Sequence, residues 1–99
     1  MINHGLTPKH LKIIHDILRN YKDVYAFGSR VKGTYKKFSD LDLCIKQPLS
    51  GYEIELLNEK FTESDLPFKV DLVVYNELSD SFKKIIDQES IAMADFFAN

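Results

Sequence analysis

Cysteine, glycine and proline are scarce in this sequence, and long apolar runs are missing. The 99 residues contain one cysteine, Cys44, which cannot form an internal disulfide and so indicates a reducing compartment, for which we expect the cytoplasm. Four glycines and three prolines are too few for a long flexible linker. No run reaches about 18 apolar residues, and the first ten residues lack the apolar core of a signal peptide, so we expect no membrane association.

The charge balance shows no basic excess. Lysine and arginine total 13 against 15 aspartates and glutamates, a formal net charge of −2, so general nucleic-acid binding is not expected. A hydrophobic fraction of 44% and a charged fraction of 28% exclude a disordered chain, a collagen-like repeat and a coiled-coil rod. The length predicts a single domain over 1–99, which buries only about 60–65% of its unfolded surface and is therefore compatible with a partner chain.

Helical and strand periodicities alternate along the chain. Thr7-Pro8 is a typical helix start, and Ser50 and Glu53 have the spacing of a capping box. The alternation favours an α/β (α+β) fold, a small mixed β-sheet flanked by helices. The predicted elements are helices over 8–21, 51–63 and about 80–89, strands over 24–27, 40–46 and 68–75, a loop over 28–39 with at most one helical turn after Ser29, and a short final strand within 90–97.

Three aspartates stand where a strand would ordinarily carry apolar residues. Asp40 and Asp42 are two residues apart on one strand, so their carboxylates point the same way, about 6.5–7 Å apart at the backbone. Ionising both is costly without a counter-charge, and oxygen ligands in a compact arrangement suit Mg²⁺ or Mn²⁺. Asp71 lies on another predicted strand and would bring a third carboxylate if the two strands pair. An isolated D-x-D on a solvated strand face is, however, usually only surface.

A glycine-serine turn and a basic loop precede the aspartates. Gly28-Ser29 follows a buried strand, where a glycine lets backbone approach a ligand and a following helical turn would add its positive end. The loop from Gly28 to Ser39 contains no acid. Positive charge beside metal-holding carboxylates is what a polyphosphate requires. The basic residues of the loop are Arg30, Lys32, Lys36 and Lys37.

Together these features resemble the nucleotidyltransferase fold of the DNA polymerase β superfamily. The family's pattern is Gly-Ser, a spacer of about ten residues, D-x-D and then a third acid, and GSRVKGTYKKFSDLDL followed by Asp71 is similar to it without a gap. The resemblance covers nearly the whole chain. The GSRVKG start is most similar to the minimal nucleotidyltransferases, antitoxins commonly encoded beside a HEPN-domain toxin.

The resemblance implies a role for each residue of the pattern. Asp40 and Asp42 would hold two metal ions, Mg²⁺ or alternatively Mn²⁺, and Asp71 would complete the second metal site or take the hydroxyl proton. The phosphate contacts would come from the basic turn. Gly28 and Ser29 would hold the terminal phosphates, and Arg30 and Lys32 would steady the leaving pyrophosphate.

The implied reaction is transfer of AMP from ATP to a hydroxyl, with release of pyrophosphate. In the antitoxin group the acceptor is a tyrosine of the HEPN toxin, and the modification silences that toxin. These 99 residues hold no second domain after the core, so we expect the acceptor to arrive on another macromolecule. Two alternatives remain open: a binding module that neutralises its partner by complex formation, and nucleotidyl transfer to RNA or a small molecule.

Overall fold

A computed structural model describes residues 4–96 as a four-stranded sheet with helices on it. The predicted mixed sheet flanked by helices is therefore confirmed. The elements are α1 (Pro8–Leu18), β1 (Val24–Phe27), α2 (Ser29–Lys32), β2 (Leu41–Ile45), α3 (Gly51–Thr62), β3 (Val70–Val74), a 3₁₀ turn (Tyr75–Glu77), α4 (Asp80–Glu89), β4 (Ile91–Ala92) and α5 (Met93–Phe96).

The strand order β3-β2-β1-β4 brings three strand ends together at one end of the sheet. β1 runs antiparallel to β2 and β4, whereas β2 and β3 are parallel. The carboxyl end of β1 thus lies beside the amino ends of β2 and β3. In this register Phe27 is opposite Asp42, and Asp42 is opposite Asp71. The polar residues that the sequence places at these strand ends are therefore neighbours in the fold.

The two faces of the sheet are covered by different elements. Leu41, Leu43 and Ile45 of β2 are fully buried in the main core with α1 and α3, since apolar residues at alternate positions share one face. The opposite face carries Asp42 and is covered by α4. Phe82 of α4 packs edge-on against Phe27, with ring centroids 5.7 Å apart. Helix α4 therefore lies on the same face as the acidic residues.

Capping places the helices where the sequence predicts them. The Ser50 hydroxyl accepts from the Glu53 N–H at 3.1 Å, and the Glu53 carboxylate accepts from the Ser50 N–H at 3.1 Å. Thr7 caps α1 by accepting from the His10 N–H at 3.2 Å. These bonds satisfy donors that a helix start leaves without intrahelical partners. The helical turn after Ser29 is confirmed as α2.

Several boundaries differ from the prediction. Helix α1 ends at Leu18 rather than 21, because the Tyr21 N–H donates to the Leu18 carbonyl at 2.9 Å in a tighter turn. The final strand is only Ile91–Ala92, and α5 replaces its continuation. Residue 97, which the predicted segment included, lies outside the described residues. Between residues 4 and 96, no helix is long and apolar enough to cross a membrane.

Candidate active site

Asp42 and Asp71 form the centre of the candidate site. They are paired residues of two parallel strands, so both side chains point to the same face of the sheet. Asp40 precedes β2 by one residue and is exposed, while Asp42 and Asp71 are half-buried. The strand pairing on which the grouping of the three acids depended is thus present.

The electrostatic environment of Asp42 disfavours its charge. Burial, and then the neighbouring carboxylates of Asp71 and Asp40, raise the pKa of Asp42 above its ordinary value. A nearby cation would offset both causes. Asp71 already has one, because the Lys69 ammonium lies 3.5 Å from its carboxylate. The unmet need for positive charge is therefore greatest at Asp42.

Gly28 lies directly against the Asp42 carboxylate. Its φ is +81°, a left-handed conformation that residues with a side chain rarely adopt. A Cβ built at this position would collide with Oδ2 of Asp42. Two independent constraints, backbone conformation and space, therefore require glycine here, and the turn after β1 touches the acidic centre.

Ser29 begins α2 immediately beside that contact. The carbonyl of Gly28 accepts from the N–H groups of Val31 and Lys32, both at 3.1 Å, which closes the helical turn. First-turn N–H groups of a helix have no intrahelical acceptor and point out of its end. Ser29 therefore starts the helical turn that follows the contact between Gly28 and Asp42.

Arg30 corrects the sequence interpretation. Its side chain is only 1% exposed, and its guanidinium donates to the backbone carbonyls of His4, Lys37 and Ser39. Contact with a phosphate would require breaking these bonds and bringing a buried side chain to the surface. The structure therefore places Arg30 within the fold rather than among the phosphate contacts.

Lys32 remains accessible on the surface. Its ammonium lies 3.6 Å from the Glu89 carboxylate of α4, and both side chains are about half exposed. An exposed ion pair of this kind contributes little free energy, so a polyphosphate could displace it. Lys36 and Lys37 are also exposed.

Sequence reasoning did not identify Lys69 and Phe82 as part of the site's surroundings. The signal for Lys69 was present, since it lies two residues before Asp71 and alternation puts both on one face. Phe82 is different, because its position beside Phe27 depends on how α4 packs on the sheet. No local pattern in the sequence predicts that contact.

The donor set fits a divalent cation, although the site is not tightly assembled. Among residues 4–96 no three acidic, histidine or cysteine side chains are gathered closely enough to form a metal-binding cluster. We expected three carboxylates to converge. In the structure Asp42 pairs with Asp71 across the two strands, and Asp40 lies nearby in the chain without forming a close cluster with them. Oxygen donors and an uncompensated half-buried carboxylate nevertheless match what Mg²⁺ or Mn²⁺ binds.

Comparison with known proteins assigns the fold to a family. Residues 8–93 match the nucleotidyltransferase domain family. The chain is 47% identical over 76 residues to the Haemophilus influenzae protein named "Probable protein adenylyltransferase MntA", a match covering 75% of this chain and 66% of that protein. The chain thus spans just under two thirds of this curated relative.

Two solved structures share the fold. A toxin–antitoxin crystallised with AMP-PNP superposes with a TM-score of 0.69 at 25% identity, over 84% of this chain and 71% of that one. A mutant of the toxin–antitoxin MntA–HpeT superposes with a TM-score of 0.61 at 20% identity, over 84% of this chain and 70% of that one. The second likeness supports the fold alone.

The close approach of Gly28 to Asp42 generates a prediction with a matched control. Gly28→Ala should abolish binding of Mn²⁺–AMP-PNP measured by calorimetry, because the new methyl group collides with the carboxylate. Gly33→Ala is the control, since Gly33 has a similar φ of +80° but open space around it. It should lower stability by about 1 kcal/mol and leave binding intact. Equal binding by both variants would contradict the assignment of Gly28 to the nucleotide site.

The raised pKa of Asp42 predicts a pH-dependent cost to stability. Because the folded state favours the protonated acid, its contribution is present at acid pH and lost as pH rises through the folded pKa. Asp42→Asn should therefore raise Tm by a few degrees at neutral pH, and the gain should vanish below pH about 3.9. Thermal melts from pH 3 to 8 test this against Asp65→Asn, an exposed acid outside the site. A lower Tm for Asp42→Asn than for the wild type at neutral pH would refute the prediction.

Proposed function

This chain belongs to the nucleotidyltransferase domain family, and from that membership we propose that it is an antitoxin that transfers AMP from ATP to a partner protein. The acceptor is a tyrosine hydroxyl of a HEPN-domain toxin. One observation carries the proposal: Asp42 lies opposite Asp71 and against the backbone of Gly28. The Gly28-Ser29 turn and the paired carboxylates are therefore side by side.

The triphosphate of ATP binds on the β1 side of Asp42. Gly28 and Ser29 offer backbone N–H groups and a hydroxyl for the phosphates, and the absence of a side chain at Gly28 lets this turn lie against the Asp42 carboxylate. Lys32 is at the end of the same short helix and is free to exchange its exposed Glu89 contact for the pyrophosphate. Arg30 takes no part in phosphate contact.

The acceptor approaches from the β3 side, because the strand order places Asp71 on the opposite flank of Asp42 from Gly28. A cavity of about 530 Å³ at the β3 edge of the sheet includes Asp71 in its lining, although α3, which packs on the opposite face from Asp42, contributes several of its other residues. The lining residues are Asn58, Phe61, Thr62, Leu66, Phe68, Lys69, Val70, Asp71 and Leu72.

The carboxylates would hold Mg²⁺, with Mn²⁺ as an alternative, through Asp40 and Asp42 and with Asp71 beside them. Two such ions, when bound, would neutralise phosphate charge and lower the pKa of the acceptor hydroxyl. Asp71 orients that hydroxyl and takes its proton. The acceptor oxygen forms a bond to the α-phosphorus, the bond between the α- and β-phosphates breaks, and pyrophosphate leaves.

The relatives support this choice of donor and acceptor. The Haemophilus influenzae protein is named a protein adenylyltransferase, and a structurally similar toxin–antitoxin was crystallised with AMP-PNP.

Cytoplasmic location is part of the proposal. Cys44 is fully buried, and burial raises the pKa of its thiol to about 11, so it is a packed side chain rather than a nucleophile.

Neutralisation by stable complex formation is the second candidate. Between residues 4 and 96, three large apolar side chains are exposed, namely Phe38, Tyr52 and Ile85. Such side chains are compatible with a contact surface for a partner chain. Under this alternative the carboxylates would be dispensable for inhibition of the toxin. Transfer to RNA is disfavoured by the net charge of −2.

Intact-mass spectrometry separates these candidates. The protein is incubated with Mg²⁺, ATP and the product of its neighbouring gene, which we expect to be a HEPN-domain toxin, and both chains are weighed. We expect the toxin to gain one or more AMP units, and Asp40→Asn with Asp42→Asn to abolish the gain while the fold persists. Asp65→Asn, an exposed acid outside the site, should behave as wild type. A stable complex with no gain in mass would instead favour the binding-module candidate.

A further inference from the structure

The most unusual side chain outside the acidic centre is that of Arg30, which is fully buried in a chain of 99 residues. Burial lowers the pKa of its guanidinium, yet arginine keeps its charge in proteins. Within the described residues, no carboxylate lies at ion-pair distance from it. The charge of Asp40 favours the guanidinium only from beyond ion-pair distance, so burial of this cation is costly, and its hydrogen bonds identify the backbone that it holds.

Those bonds converge on the residue before Asp40. The Ser39 carbonyl accepts from both Nε and Nη2 of Arg30, at 3.1 and 2.8 Å. Nη2 also approaches the Lys37 carbonyl at 3.4 Å, and Nη1 donates to the His4 carbonyl at 3.1 Å. The Ser39 carbonyl, which accepts two hydrogen bonds, belongs to the peptide group that joins Ser39 to Asp40. The guanidinium therefore fixes the peptide plane from which Asp40 extends.

Aromatic rings keep the guanidinium in place. The ring of Phe68 lies 4.3 Å from its central carbon, and the ring of Tyr35 lies 5.3 Å away. These distances are in the range of cation–π contacts. A planar fork held by ring contacts has little freedom to turn, so its direction toward the Ser39 carbonyl is fixed.

Asp40 is consequently held on both sides. Its preceding carbonyl is bound by Arg30, and the next residue, Leu41, donates its N–H to the Lys69 carbonyl at 2.9 Å. Arg30 is itself part of α2, whose first turn follows Gly28 and its contact with Asp42. One side chain thus links the phosphate-binding turn to the segment that presents Asp40.

We propose that Arg30 is a positioning residue, which holds Ser39 so that the exposed Asp40 carboxylate is placed beside Asp42 and the Gly28-Ser29 turn. The proposal rests on the proposed function for its purpose, since Asp40 is there a metal ligand. The structural part of the proposal, that Arg30 holds Ser39 in place, does not depend on the proposed function. Without Arg30 the loop over 33–39, which is mostly exposed and basic, would lose its fixed end and Asp40 would sample other positions.

The test is amide hydrogen exchange on the free protein, with and without Arg30→Lys. Lysine keeps the positive charge but lacks the planar guanidinium, so it cannot donate to the Ser39 carbonyl from two nitrogen atoms. We expect exchange over residues 39–41 to accelerate at least tenfold while the rest of the sheet is unchanged. Arg19→Lys, an exposed arginine after α1, is the matched control and should leave exchange unaltered.

A second readout separates positioning from phosphate contact. Calorimetry should show roughly tenfold weaker binding of Mn²⁺–AMP-PNP by Arg30→Lys, together with the faster exchange. Weaker binding with unchanged exchange over 39–41 would overturn the proposal and return Arg30 to the phosphate contacts. Since exchange needs no substrate, the proposal can be judged even if the wild-type chain transfers no AMP.

A milder variant guards against loss of the fold. If Arg30→Lys does not fold, Phe68→Leu removes the closer ring and leaves the carbonyl bonds in place. We expect a smaller acceleration, about threefold, confined to residues 39–41. Unchanged exchange there would overturn the proposal, because a guanidinium freed from its ring contact should hold the Ser39 carbonyl less firmly.

Discussion

The half-buried carboxylate of Asp42, opposite Asp71 and against the Gly28 backbone, is the interaction on which the rest of the site depends. A second carboxylate on the neighbouring strand and partial burial both disfavour its charge, so the apo fold carries an electrostatic cost there. Sheets ordinarily place apolar residues at such positions. A cation bound with a polyphosphate would relieve this cost, which is the physical link between the sequence pattern and the family's chemistry.

The elements around Asp42 serve to present it rather than to neutralise it. Helix α4 packs on the same face. The Tyr75 hydroxyl donates to its Asp87 carboxylate at 3.0 Å, and the Lys46 ammonium lies 3.7 Å from that carboxylate. Phe82 of the same helix packs on Phe27. Helix α4 therefore covers part of the acidic face, and Asp42 and Asp71 remain only half-buried.

Patterns that act locally were predictable from the sequence, and patterns that depend on packing were not. The strand β1 and the capping box of Ser50 and Glu53 follow from periodicity and side-chain chemistry over a few residues. Arg30 follows a Gly-Ser turn and so was assigned to phosphate. Its burial depends on Phe68, 38 positions later, and on carbonyls of two other segments. Likewise, the early end of α1 at Leu18 is not visible while apolar residues continue to Tyr21.

The central claim is that metal and nucleotide bind together at this end of the sheet. Crystals grown with Mn²⁺ and AMP-PNP, measured at the manganese absorption edge, test it most directly. The account predicts anomalous density at the oxygens of Asp40 and Asp42, with the phosphates against the Gly28-Ser29 backbone. Manganese elsewhere, or AMP-PNP in the cavity of about 480 Å³ that is lined by Leu18, Tyr25 and Met93 among others, would contradict it.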